Sequence, residues 1–123
     1  MDINNINVIA LAYLGDSVYE LYIRENLLKK GLVKVDDLQK ESVKYVSAKA
    51  QSVIVTEMIN TNFLSDAEID IYKRGRNYKR NIHPKNTDII TYKMSSGFEA
   101  LIGYLYLVNQ NRLREVLEFI EVK

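Results

Sequence analysis

The chain has 123 residues, room for one domain and no second folded module, and its 47% hydrophobic and 27% charged content excludes disorder as the dominant state. It holds no cysteine and one histidine, His83, which excludes a disulfide scaffold, a thiolate metal site and any site needing two imidazoles. Seventeen basic against sixteen acidic residues leave a formal charge of +1, which taken alone argues against a nucleic-acid binder.

Hairpin dipeptides and sustained period-two alternation are absent, while helical spacing of apolar residues recurs throughout, so the expectation is an all-α single domain of six or seven helices. A short first helix is expected at about residues 5–13. A second runs from about Asp16 to Lys30, with Leu14, Val18, Leu21 and Tyr22 on one face and Gly31 as the residue just past its end. Asp36 or Asp37 suits the N-cap of a third. A fourth starts near Ser47 and carries Val53, Ile54, Met58 and Ile59. Ser65 and Glu68 have capping-box spacing, so a fifth opens at Asp66 and ends near Gly75.

Residues 76–87 are polar and hold the chain's one proline, Pro84, which reads as a long loop. Thr87 or Asp88 then caps a helix from Ile89 to about Asn109, the most apolar stretch. Gly97 and Gly103 inside it either admit another helix closely or mark a kink. Asn111 is expected to cap a last helix ending near Val122. Tyr104 and Tyr106 lie two apart and cannot both be buried on one stripe. The N-terminus, MDINNINVIA, lacks the regions of a signal peptide, and no apolar run approaches ~20 residues, so a soluble cytoplasmic protein without a membrane span is expected.

Three features carry chemistry. Asp16 and Glu20 are four apart on one helical face among apolar neighbours. Their bland alternative is an N-cap and a solvated face residue. Glu99 is the one charged residue between Lys93 and Arg112, and a carboxylate inside an apolar helix needs either a basic partner across the packing or a cation. If the helices bearing Asp16 and Glu99 pack together, the two carboxylates converge. Hard oxygen donors without His or Cys suit Mg²⁺ or Mn²⁺ rather than zinc, and such sites are typical of phosphodiester hydrolysis. Finally, Lys73, Arg74, Arg76, Lys79, Arg80 and Lys85 fall within residues 73–87 without an acid, with Tyr72 and Tyr78 interleaved, while the other 108 residues sum to −5. A basic segment on an acidic body is the footprint of a polyanion site; its bland alternative is a solvated charge cluster.

Ala12-Tyr13-Leu14-Gly15-Asp16-Ser17-Val18 resembles the ribonuclease III motif Glu-Phe-Leu-Gly-Asp-Ser-Val/Ile, and Phe98-Glu99-Ala100-Leu101-Ile102-Gly103 resembles that family's second acidic motif. Val46-Ser47-Ala48-Lys49-Ala50-Gln51, Lys73-Arg74-Gly75-Arg76-Asn77 and Pro84-Lys85-Asn86-Thr87-Asp88 support a resemblance to the short form of the family, which lacks a double-stranded-RNA-binding domain. The resemblance covers essentially residues 8–110. It implies an α-helical homodimer that cuts double-stranded RNA with Mg²⁺ (Mn²⁺ substituting), leaving 5′-phosphate ends. It also implies a role in maturing precursor large-subunit (23S) ribosomal RNA, with a ribosomal protein assisting. Asp16 and Glu99 match two of the family's four metal-site acids. Ala12 and Ser96 stand where the other two would be, leaving Glu20 or Asp88 to contribute directly or through water. Tyr13 matches the aromatic that packs across the family's dimer interface. The competing reading is a catalytically inactive helical RNA-binding module of the same fold.

Overall fold

A computed structural model describes residues 2–79 and 87–120. A single 3-10 turn over Ile3–Asn5 leads into six α-helices: α1 (Val8–Lys29), α2 (Val35–Val46), α3 (Ala48–Asn60), α4 (Asp66–Asn77), α5 (Ile89–Val108) and α6 (Gln110–Glu118). No strand occurs among the described residues, as the sequence leads one to expect.

The local end signals act as their chemistry requires. Ser47 Oγ accepts from Ala50 N–H at 3.1 Å and opens α3. Ser65 and Glu68 form a reciprocal capping box at the start of α4. Asp88, rather than Thr87, caps α5, accepting from the Thr91 N–H at 2.9 Å. Gly31 follows α1 at φ +99°, with Gly31 N–H bonded to the Leu28 carbonyl and Leu32 N–H to the Leu27 carbonyl; this terminator needs the left-handed backbone that glycine adopts without strain.

Several boundaries differ from expectation. The two expected N-terminal helices are one: α1 is capped by Asn7, whose Oδ1 accepts from Ile9 N–H at 2.8 Å, and runs unbroken through Gly15 and Asp16. Asp16 is therefore a mid-helix residue and caps nothing. Asp36 and Asp37 sit in the first turn of α2, where they favour the helix dipole, but the N-cap position is Lys34. α4 continues past Gly75 to Asn77, because Gly75 is a packing position against Ala100 and Gly97 rather than a stop. α6 is capped by Asn109, whose side chain accepts from Arg112 N–H, and not by Asn111. The expected end near Val122 lies outside the described residues.

α5 is the central helix, with α1, α3 and α4 packed around it. The main core joins Tyr19, Ile23 and Leu27 of α1 to Val55 and Met58 of α3, Tyr72 of α4, Phe98, Leu101 and Ile102 of α5 and Val116 of α6. Tyr19 and Phe98 meet edge to face with centroids 5.0 Å apart, and the Tyr19 hydroxyl donates to the Tyr45 carbonyl at 2.9 Å. A second cluster of Val8, Leu11, Ala12, Ile71 and Ala100 closes the other end of the α1–α5 contact. Tyr104 is half-buried against both clusters and Tyr106 is exposed.

Candidate active site

The α1–α5 crossing is close because glycine stands on both sides of it. A Cβ on Gly15 would run into the Glu99 carbonyl, and a Cβ on Gly103 would run into the Leu11 carbonyl. The residues next to these contacts are Asp16 and Glu99. Packing the two backbones this tightly sets both carboxylates on one cavity of about 450 Å³, walled by α1, α3 and α5.

Asp16 is exposed at the mouth of this cavity and Glu99 is partly buried within it. Asp16 and Glu99 line the same cavity, close enough for the Asp16 charge to act on Glu99. Burial first, and the neighbouring Asp16 charge second, push the Glu99 carboxyl up to about 8, while the Gln51 amide opposes the shift. Gln51 Nε2 donates to Glu99 Oε2 at 3.2 Å and to the Val46 carbonyl at 3.0 Å, so one α3 side chain ties Glu99 to the end of α2. Glu99 thus meets an amide and a second carboxylate, not the basic partner of the bland alternative. Two carboxylates held together in a half-buried cavity repel unless a proton or a cation lies between them.

The other expected site residues divide. Ala12 and Ser96, the positions of the two missing family acids, are buried and line the same cavity. Tyr13 is on its rim and 81% exposed, a large aromatic left in solvent by the chain's own packing. Glu20 pairs with Arg24 at 3.3 Å one turn along α1 and adds a weaker negative field at Glu99. Asp88 is outside the cavity lining; both its carboxylate oxygens accept from Thr91, which holds its carboxyl below the usual carboxylate range. Among the described residues no group of three or more His, Asp or Glu side chains is placed to hold a metal.

Of the basic segment, Lys73, Arg74 and Arg76 lie on the last turns of α4 rather than in a loop, and Lys79 follows directly. Lys73, Arg74 and Lys79 are exposed, and Arg76 lies over the Tyr72 ring at 5.5 Å. Arg80, Lys85 and His83 lie outside the described residues.

Gln51 carried no assigned role in the sequence, although it sits in a segment with family resemblance. The signal was weak: one amide in an amphipathic helix reads as a surface residue until its burial is known. The pairing of Arg112 with Glu68 was missed for the same reason. Arg112 Nε and a terminal nitrogen bind both Glu68 oxygens at 2.8 and 2.9 Å, joining α6 to the start of α4.

Comparison with known proteins places this fold in one family. The sequence model of the Ribonuclease III domain matches residues 9–110. The chain is 47% identical over 120 residues to Mini-ribonuclease 3 of Streptococcus pneumoniae, covering 97% of this chain and 94% of that one. It is 43% identical over 119 residues to Mini-ribonuclease 3 of Enterococcus faecalis, covering 96% and 90%. The crystal structure of a Fusobacterium nucleatum protein superposes with a TM-score of 0.82 at 32% identity, covering 95% of this chain and 93% of that one. An all-helical fold that brings the two acidic motifs to one cavity, and this similarity along nearly its whole length, lead to one assignment: the chain belongs to the ribonuclease III family, in its Mini-ribonuclease 3 group, and is an endoribonuclease.

Proposed function

We propose that the chain is a divalent-metal-dependent endonuclease of double-stranded RNA, acting as a cytoplasmic homodimer in the maturation of precursor 23S ribosomal RNA. The observation that carries the chemistry is the convergence of Asp16 and Glu99 on one cavity through the glycine crossing.

The donor set fits a hard cation. Both candidate ligands are carboxylates, and their mutual repulsion is the kind that a dication relieves. Asp16 and Glu99 would hold Mg²⁺ or Mn²⁺, with water filling positions that Ala12 and Ser96 leave without a carboxylate. When bound, such an ion supplies positive charge against the phosphate and makes water a better nucleophile at neutral pH. The chain's own contribution is placement. α1 and α5 fix the two carboxylates, Gln51 restrains Glu99, and the small Ala12 side chain leaves the cavity open.

Duplex affinity is assigned to the basic surface at the end of α4, where Lys73, Arg74 and Lys79 would displace counterions from phosphates, with Arg76, Arg80 and Lys85 completing the segment. An A-form duplex offers little base readout, so shape and 2′-hydroxyl contacts would dominate. The exposed Tyr13 ring supports dimerisation, since an aromatic 81% exposed at the rim of a site is costly unless another surface covers it. The ribosomal substrate, its assistance by a ribosomal protein and the single-domain organisation over residues 1–123 rest on the family resemblance. No helix among the described residues is long and apolar enough to cross a membrane.

The test is incubation of the purified chain with a precursor ribosomal RNA duplex, with Mg²⁺ and with chelator. Cleavage in Mg²⁺ alone, leaving 5′-phosphate ends, is expected. Duplex binding without divalent-dependent cleavage would instead favour an inactive RNA-binding module.

A further inference from the structure

Among the described residues one buried side-chain polar atom lacks a hydrogen-bond partner, Oε1 of Gln51. Gln51 is 2% exposed and lines the cavity that holds Asp16 and Glu99. Its Nε2 donates to Glu99 Oε2 and to the Val46 carbonyl. The Val46 carbonyl can only accept, so the amide cannot be turned over; the flipped form would set Oε1 against that carbonyl. The orientation that satisfies the N–H groups therefore leaves the amide oxygen requiring a donor from outside the chain's own packing. A leucine or methionine would fill this space at lower desolvation cost if packing were the only demand.

We propose that Gln51 is a positioning residue for the reaction: its N–H groups fix the Glu99 carboxylate, and its Oε1 accepts a hydrogen bond from a water molecule in the shell of the divalent cation. This rests on the assignment of Asp16 and Glu99 as the pair that holds that cation. The choice of water follows from the cavity. Ala12 and Ser96 offer no carboxylate there, and a cation of the Mg²⁺ type keeps several waters when its protein ligands are few. A polar cavity of about 450 Å³ has room for them. An amide oxygen can receive such a water without adding a third negative charge to the Asp16–Glu99 pair, which a glutamate at this position would do.

The test compares Gln51→Met, Gln51→Glu and Glu99→Gln with the wild-type chain. Mn²⁺ binding is followed by electron paramagnetic resonance without RNA, kcat and KM are measured on duplex RNA, and folding is checked by thermal unfolding. Gln51→Met is expected to weaken Mn²⁺ binding and to lower kcat, each by about tenfold to a hundredfold, with KM nearly unchanged. Gln51→Glu keeps the volume and the oxygen but has no N–H for Glu99, so its kcat is also expected to fall at unchanged KM. It decides alone if Gln51→Met does not fold. A folded Gln51 variant with wild-type kcat, or failure of both variants to fold, overturns the proposal. If Glu99→Gln binds Mn²⁺ like the wild type, the cation assignment itself falls. If Glu99→Gln loses Mn²⁺ while Gln51→Met retains it, only the role of Gln51 is refuted.

Discussion

Gly15 of α1 and Gly103 of α5 face each other across the helix crossing, and each occupies space that a side chain would need against the other helix's backbone. A Cβ built on Gly15 would come within 2.8 Å of Gly103 N, and one on Gly103 within 3.1 Å of Gly15 N, besides their collisions with the Glu99 and Leu11 carbonyls. The pair sets how closely α1 and α5 pack, and with it the separation of Asp16 from Glu99. Replacing Gly15 with alanine must push backbone rather than a flexible side chain. Gly15→Ala is therefore expected to lower stability by about 1–3 kcal/mol, as overpacking does. Activity of the molecules still folded should fall as well, because the carboxylates move apart. Urea unfolding beside cleavage rates at a fixed folded fraction checks both.

Asp16→Asn keeps the shape of an exposed mid-helix side chain and removes its charge. Cleavage of duplex RNA in Mg²⁺ is expected to drop by at least about a hundredfold, while thermal stability, dimerisation and duplex binding stay close to wild type. Cleavage at a near-wild-type rate would remove Asp16 from the metal site. Gel-shift binding without divalent ions and a cleavage time course separate the two effects.

Lys73, Arg74 and Lys79 are exposed at the end of α4 and just beyond it, free to meet a phosphate backbone. The triple change to glutamine is expected to weaken duplex binding and to flatten its salt dependence by about one logarithmic unit of slope for each phosphate no longer neutralised. Measuring the dissociation constant across a salt series distinguishes this from a local folding defect, which would lower affinity without changing the slope.

Arg112 holds both oxygens of Glu68 and also donates to the Phe63 carbonyl at 2.7 Å, with its guanidinium 4.5 Å from the centre of the Phe63 ring. Hydrogen bonds from Arg112 keep the Glu68 carboxyl below the usual carboxylate range, against the opposing effect of burial. A carboxyl depressed in the folded state contributes stability that is fully present above its unfolded value and lost as pH falls through the folded value. The stability from this pair should thus be complete at neutral pH and be lost progressively as pH falls below about 4.3, the ordinary glutamate value. Arg112→Ala is expected to cost about 2–4 kcal/mol at pH 7, because a buried carboxylate is left unpaired, and much less at low pH. Denaturant midpoints of both proteins between pH 7 and pH 3 test the sign and the window.

What the sequence made legible is local or carried by motif. The capping box of Ser65 and Glu68, the cap at Asp88 and the glycine terminator at Gly31 each operate within a few residues, so spacing alone locates them. The same local rules misplaced a helix break at Gly15 and an end at Gly75. A glycine that clears room for another helix looks, in one dimension, like a glycine that stops its own. Asp16 and Glu99 stood out because an acid among apolar residues needs a reason, yet nothing in their spacing dictates that they meet.

By itself, then, the sequence determined the all-helical class, several helix ends and the two acids worth watching, since these follow from interactions three to five residues apart and from side-chain chemistry. Only the tertiary structure decided that α1 is continuous and that Gly15 and Gly103 bring Asp16 to Glu99. It alone paired Gln51 with Glu99, 48 residues away, and Arg112 with Glu68, 44 residues away. The physical reason is common to all of them: a buried polar group finds its partner through helix packing, and packing is a property of surfaces that meet in three dimensions rather than of neighbours along the chain.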